Sequence, residues 1–470
     1  MKWLEAIKDR LGNWLSSDTH SASPATNAAP SVIPRDRHNI SRKNISDGAL
    51  KTMSRLRAAG YQAYLVGGSV RDLLLGQRPK DFDIATDARP EQVRELFRNS
   101  RIIGRRFKIV HVRFGPEVIE VTTFRGRHGA SEPDADEDET PASNQHSARS
   151  ESGMLLRDNV YGSLEEDAER RDFTVNALYY TTEDFALYDF ANGVDDLRQR
   201  VIRIIGDAAT RYREDPVRML RAVRFAAKLD FAIEPGTAHP IQELAPMLRN
   251  VPAARMFDEV LKLLMAGSGE ATFHLMREFG LFDALFPAAA DALDHDPTGE
   301  ALIRLALRNT DARIAAQKPV TPAFLYGALL WPALQREYQR EIAEGVPEQL
   351  ALQQAASTVI EQQLRTVAIP RRFSLPMREI WEIQWRLPRR SPPRVQNLLE
   401  NPRLRAGYDF LLLREEAGED TDGLGEWWTE FLAADESHRE SMLKEANQRS
   451  GGQRRRRTRR PRSKPAAGEQ

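Results

Sequence analysis

The apolar run Tyr64-Leu65-Val66 breaks at Gly67-Gly68, and a helix-patterned stretch from Ser69 to Gly76 leads on to Lys80-Asp81-Phe82-Asp83-Ile84-Ala85-Thr86-Asp87. Few folds satisfy that order. Paired glycines between a strand and a helix let backbone N–H groups close on a phosphate with no β-carbons in the way. In a strand, residues i and i+2 share a face, so the pattern predicts that Asp81 and Asp83 reach one spot. Two hard oxygen donors beside a phosphate cradle suit Mg²⁺ carried by a triphosphate. Either signal alone is commonly a turn or a solvated loop edge; the information lies in their succession within residues 64–87.

The flanking periodicity fits a compact domain around this stretch. Ala49, Leu50, Met53, Leu56 and Ala59 recur at helical spacing behind Ser46, a suitable N-cap, and Gly60 stops the run. Residues 90–98 read as a helix, and residues 102–103, 109–112 and 118–124 as strands. Helix, strand, glycine turn, helix, carboxylate strand, helix, strand, strand describes an α+β fold, a small palm with a mixed sheet. Glu120 falls on a strand beside the carboxylates, where it reads either as a further acid for the metal or as a polar edge residue.

The glycine turn, Asp81-Phe82-Asp83 and their spacing resemble the signature of class II template-independent nucleotidyltransferases, the superfamily of bacterial poly(A) polymerases and CCA-adding enzymes. That resemblance implies nucleotidyl transfer from a Mg²⁺-bound triphosphate onto an RNA 3′ end. Arg170-Arg171-Asp172-Phe173-Thr174-Val175-Asn176 resembles the second motif of that family. There the arginines face the triphosphate and the aspartate completes the catalytic carboxylates, with Asn176 in support. Asp189 and Gly193-Val194-Asp195-Asp196-Leu197 fit the short third motif, with Asn192 in place of one glycine; Asn also adopts positive φ, so the turn is expected to survive. Residues 212–225 read as a helix with Pro216 in its first turn and acids before it; Asp215, Arg218 and Arg221 lie three apart near one face, either an ion-pair ladder or a match to the family's base-selecting motif, which they resemble. Residues 102–112 resemble the segment that separates the poly(A) polymerases from their CCA-adding relatives.

At 470 residues the chain exceeds a single compact core. Formal net charge is zero, yet acid is concentrated in residues 132–139 and base in the last twenty or so. There is no cysteine, which excludes disulfides, thiolate zinc sites and a thiol nucleophile. No apolar run approaches the roughly 18 residues of a membrane span. The sequence divides into an amphipathic leader and linker (1–34), a palm (35–198) with a flexible acidic excursion (127–152), a helical neck (199–268), a helical body (269–440) and a disordered Arg-rich tail (441–470). The leader reads as a surface- or partner-docking helix or as a marginal terminal one. In the body, Arg371, Arg372, Arg386, Arg389, Arg390, Arg394, Arg403 and Arg405, interleaved with Phe373, Trp381 and Trp385, form a candidate RNA path.

The expectation is therefore a cytoplasmic enzyme that adds AMP from ATP to RNA 3′ ends, with RNA-decay proteins as possible partners. Asp81 and Asp83 bind Mg²⁺, and Asp172 completes the site with Glu120 as rival or helper. Gly67, Gly68, Arg71, Arg170 and Arg171 hold the triphosphate, and Asp215, Arg218 and Arg221 select the base. A CCA-adding enzyme is the near alternative, and a non-catalytic RNA-binding protein the distant one.

Overall fold

The computed structural model describes residues 30–104, 108–126, 147–149, 155–158 and 160–457, for 147–149, 155–158 and 448–457 as backbone. The expected leader helix, most of the linker and acidic excursion, residues 105–107 of the basic loop and residues 458–470 of the tail lie outside the described residues. The chain forms two compact units. One holds the chain up to Asp215 with Ala232–Pro240; the other holds Pro216–Phe231 and the chain from Ile241.

The first unit follows the expected series closely: β1 (Ser31–Ile33), α1 (Asp47–Ala58), β2 (Ala63–Val66), α2 (Gly68–Leu74), β3 (Asp83–Thr86), α3 (Pro90–Leu96), β4 (Ser100–Ile103), β5 (Ile109–Phe114) and β6 (Glu117–Thr123). A hairpin of β7 (Ser147–Arg149) and β8 (Leu155–Asp158) follows, then α4 (Leu164–Arg170), β9 (Leu178–Tyr180), β10 (Leu187–Asp189), α5 (Gly193–Gln199), β11 (Val201–Ile202) and α6 (Ala208–Glu214). Eight strands form one mixed sheet in the order β1-β10-β9-β2-β3-β6-β5-β4. Its one parallel pair among the described residues, β3 with β6, sets Asp83 beside Glu120. On one face, Ala49, Met53 and Leu56 of α1 are fully buried. On the other, Leu164 and Ala168 of α4 pack with Val66, Ala85, Phe124 and Tyr179. Side chains alternate along a strand, so Asp83 shares the face of Ala85 and looks towards α4.

Local chemistry explains the elements that carry the site. Ser46 Oγ accepts Ala49 N–H at 3.1 Å at the start of α1, a cap worth about 1 kcal/mol. At α4, Ser163 and Glu166 cap each other reciprocally, at 3.3 and 2.9 Å. The acids Glu165, Glu166 and Asp167 occupy the positive end of that helix and Arg170 its negative end. Asn192 adopts φ 59°, ψ 31°, as the turn required, and Asp189 accepts the N–H groups of Ala191, Gly193 and Val194.

Several expectations change. The helix expected with Pro216 in its first turn and acids before it is α7 (Val217–Leu229), with Pro216 at its N-cap; the residues before it belong to α6, which ends at Glu214, and Asp215 is extended (φ −148°, ψ 97°). A residue before proline is pushed out of the helical region, so Asp215 leaves the face shared by Arg218 and Arg221. The first unit does not end at 198, because β11 pairs in parallel with Ala232–Ile233 and draws residues 232–240 to it. β7 places regular structure at residue 147, inside the expected excursion.

The second unit is helical, as expected. Its long run from 336 to 368 is two helices, Trp331–Ala343 and Glu348–Gln363, parted where Gly345 takes φ +85° and Pro347 follows. The tail expected to be disordered from 441 instead continues the helix Glu436–Arg457. Good helix formers, a Glu440–Lys444 pair at 3.6 Å and burial of Met442 against the Trp428 cluster support it. Trp381 and Trp428 are buried and donate their indole N–H to Gly327 O and Leu387 O. Among the described residues no helix is long and apolar enough to cross a membrane.

Candidate active site

Strand β2 delivers Gly67 directly beside Asp83, since Val66 and Asp83 are register partners. Gly67 takes φ 69°, ψ −134°, a conformation essentially reserved for glycine. A β-carbon built there would stand 3.9 Å from Asp83 Oδ2 and 3.5 Å from Arg171 Nη1. The glycine turn, one carboxylate and one guanidinium thus share a small volume.

Arg171 is held from behind. Its Nε–H donates to Tyr179 Oη at 2.7 Å and its Nη2–H to Asp167 Oδ2 at 3.1 Å, while Tyr179 O–H donates to the same Asp167 oxygen at 2.7 Å. Asp167 Oδ1 also accepts Arg125 N–H. Burial by itself disfavours the guanidinium charge, but Tyr179 and Asp167 outweigh it and raise the Arg171 pKa, so the residue stays a cation. Burial, and after it Asp167, raise the Tyr179 pKa, so its phenol stays neutral and can donate. The preceding turn is clamped by Arg211 of α6, whose Nη2 donates to the carbonyls of Arg170 and Arg171, each at 2.7 Å.

A second chain of bonds joins the glycine turn to Asp172. Arg71 Nη2 lies 3.5 Å from the β-carbon position of Gly68. Its guanidinium bonds Asp72 Oδ1 at 2.7 and 2.9 Å and Asn176 Oδ1 at 2.8 Å. Asn176 Nδ2 then donates to Asp172 Oδ1 at 3.3 Å, which also accepts Phe173 N–H. Arg71 is 2% exposed and braces the turn from inside.

The carboxylates are arranged by register more than by strand alternation. β3 begins at Asp83, so Asp81 lies in the bend before it, exposed, with buried Phe82 between the two; the expected shared strand face becomes a bend and a strand end. Burial, then the charge of Glu120, push Asp83 up to about 6; Arg171 opposes and Asp81 adds to the push. Glu120 in turn accepts His111 Nε2–H at 3.2 Å. Like charges and partial burial leave Asp83 in need of a cation, and its neighbours are hard oxygen donors, so the site fits a divalent metal. Among the described residues no three such side chains converge as they stand. An ion here would therefore draw part of its shell from nucleotide oxygens, as small hard cations do.

Sequence reasoning missed Tyr179, Arg211 and the contact of His111. Tyr179 and Arg211 carry no local signal. The His111–Glu120 pair was countable, because the two-residue turn at Gly115–Pro116 sets Phe114 opposite Glu117 and every pair beyond it. Asp215 closes the first unit, whereas Arg218 and Arg221 sit on α7 of the second. In the expected RNA path, Trp381 is buried and cannot stack on a base. Arg389, Arg403 and Arg405 pair with Glu348, Glu379 and Asp409 at 2.8, 3.1 and 3.0 Å. Arg390 stands over Trp427 with its guanidinium carbon 5.1 Å from the ring centre.

A glycine turn facing carboxylates at the end of a mixed sheet, with an arginine aimed at the turn, defines a nucleotidyltransferase palm. Residues 63–203 match the poly(A) polymerase head domain, residues 230–293 a probable RNA and SrmB-binding site of polymerase A, and residues 344–463 the arginine-rich C-terminus of polymerase A. Poly(A) polymerase I of Salmonella typhimurium is 49% identical over 90% of each chain. A CCA-adding enzyme of Geobacillus stearothermophilus is 39% identical over 52% of this chain and 55% of its own. The crystal structure of the Bacillus stearothermophilus CCA-adding enzyme with CTP superposes with a TM-score of 0.51 at 28% identity, covering 81% of this chain and 80% of that one. The chain belongs to the poly(A) polymerase family.

Proposed function

We propose that this protein is a template-independent polynucleotide adenylyltransferase that transfers AMP from ATP to RNA 3′ ends, with Mg²⁺ as its metal. The observation that carries the reading is the meeting of Gly67, Asp83 and Arg171, supported by family membership over nearly the whole chain. Asp81 and Asp83 hold the metal; Asp172 completes the acids, with Glu120, the register partner of Asp83, as rival or helper. When bound, the divalent cation stabilises the developing charge on the α-phosphate and pyrophosphate and lowers the pKa of the attacking 3′-hydroxyl. The backbone at Gly67 and Gly68 cradles the phosphates, braced by Arg71. Arg171 meets their charge with Nη1, and Arg170 adds a second cation at the same turn. Asp172, tied to Asn176, orients this turn and the glycine turn together. Arg218 and Arg221, with Asp215 before them, read the adenine edge. ATP and RNA ends locate the enzyme in the cytoplasm. A single-stranded tail offers a 3′-exonuclease a foothold, so the tails promote RNA decay and quality control, and RNA-decay proteins are the partners of choice.

The test is to incubate purified protein and Mg²⁺ with an unstructured RNA and each nucleoside triphosphate separately, then with tRNA lacking its CCA end. Long A-only extension of the unstructured RNA is expected, and Asp81→Ala or Asp83→Ala abolishes it while RNA binding stays within a few-fold. Addition confined to C, C and A on the tRNA would instead establish the CCA-adding activity. Extension by an aspartate variant at near wild-type rate would remove the metal assignment.

A further inference from the structure

The hairpin β5–β6 carries a contact that the reaction scheme above leaves without a role. His111 and Glu120 are register partners, and the imidazole Nε2–H donates to Glu120 Oε1 at 3.2 Å. An ionised carboxylate only accepts, so the shared hydrogen sits on Nε2. On its other side Glu120 is the register partner of Asp83 across β3 and β6, and it is the neighbouring charge that acts most strongly on Asp83. The two side chains are 30% and 46% exposed, so packing alone does not immobilise the glutamate. A half-exposed glutamate samples several rotamers, and a fixed donor on the adjacent strand selects among them. The strand that bears His111 is itself anchored by antiparallel pairing with β4 on one side and β6 on the other.

We propose that His111 is a positioning residue that fixes the rotamer of Glu120, the register partner of Asp83 on the adjoining strand. Strand β5 is thereby coupled through one hydrogen bond to the carboxylates proposed to receive the metal. For the function of Glu120 the proposal rests on the adenylyl-transfer reading. The geometry also makes a prediction about rescue: a glutamine side chain places its amide N–H about as far from the backbone as Nε2 of histidine, whereas alanine offers no donor.

The experiment measures binding of Mn²⁺ alone to the full-length protein by the loss of the free-ion electron paramagnetic resonance signal, without nucleotide or RNA. Thermal melting of each variant serves as the folding control. His111→Ala is expected to weaken Mn²⁺ binding about ten-fold, the lower end of what outer-shell partners contribute. His111→Gln is expected to recover most of that loss. Glu120→Gln should weaken binding on its own, and adding His111→Ala to it should cost nothing further, because the two residues act as one unit. Wild-type affinity in His111→Ala, or failure of His111→Gln to rescue, would overturn the proposal. So would an undiminished effect of His111→Ala in the Glu120→Gln background. AMP addition by the wild-type protein is scored separately, so a failure of the enzymatic reading is distinguishable from a failure of this coupling.

Discussion

Arg171 Nη1 lies 3.5 Å from the position a β-carbon would take at Gly67, although the two residues are far apart in sequence. Only glycine leaves that volume open, and only the network behind Arg171 keeps the guanidinium aimed into it. The proposed phosphate cradle therefore draws on two motifs at once, the glycine turn and the Arg170-Arg171 turn.

Tyr179→Phe tests the rear of this arrangement. The direct Asp167–Arg171 bond at 3.1 Å remains, so the fold is retained, but Nε loses its partner. A buried donor left unsatisfied costs about 1–3 kcal/mol, which we expect as a raised KM for ATP with the KM for RNA unchanged. Steady-state kinetics with each substrate varied in turn checks the split. Equal effects on both would show general loosening.

Asp83→Asn is expected to stabilise the metal-free protein while abolishing activity. Its folded-state pKa of about 6 exceeds the ordinary 3.8, so the folded state binds the proton more tightly than the unfolded state does. Stability from this group is full at low pH and is lost as pH rises through about 6, in total about 3 kcal/mol. The variant should thus melt higher than wild type at pH 8, and the gain should vanish near pH 4. Melting curves across that range in the presence of a chelator provide the measurement. A gain independent of pH would show that the carboxylate is not strained.

Arg218→Ala tests base choice on α7. A lost bidentate contact to a base edge is worth about 1–3 kcal/mol of discrimination, so the ratio of kcat/KM for ATP to that for the other nucleotides should fall. A uniform loss of rate with preference intact would make Arg218 a structural residue.

Removing residues 451–470 tests electrostatic capture. Residues 454–462 hold seven arginines, and each phosphate contact to single-stranded RNA contributes about −0.7 to the slope of log affinity against log salt. Truncation should flatten that slope and raise the RNA concentration for half-maximal rate, leaving the saturated rate unchanged. A lowered saturated rate with the slope intact would place the tail's role in catalysis or folding.

Much of this protein is legible residue by residue. The Ser46 cap, the turn at Gly67-Gly68, the positive φ of Asn192 and the order of elements through β6 all depend on neighbours a few positions away, and a sequence displays those directly. Where local signals compete, the sequence is less direct: Pro216 starts α7 and leaves Asp215 extended, off the face that spacing by threes assigns to it, and Gly345 with Pro347 divides a run that hydrophobic spacing alone joins. What only the tertiary structure decided is which distant residues meet: Arg171 with Gly67, Tyr179 with Asp167, Arg71 with Asn176, His111 with Glu120 and Glu120 with Asp83. Strand register and helix docking set those meetings, and both are settled by burial summed over the whole sheet, a quantity no short window of sequence contains.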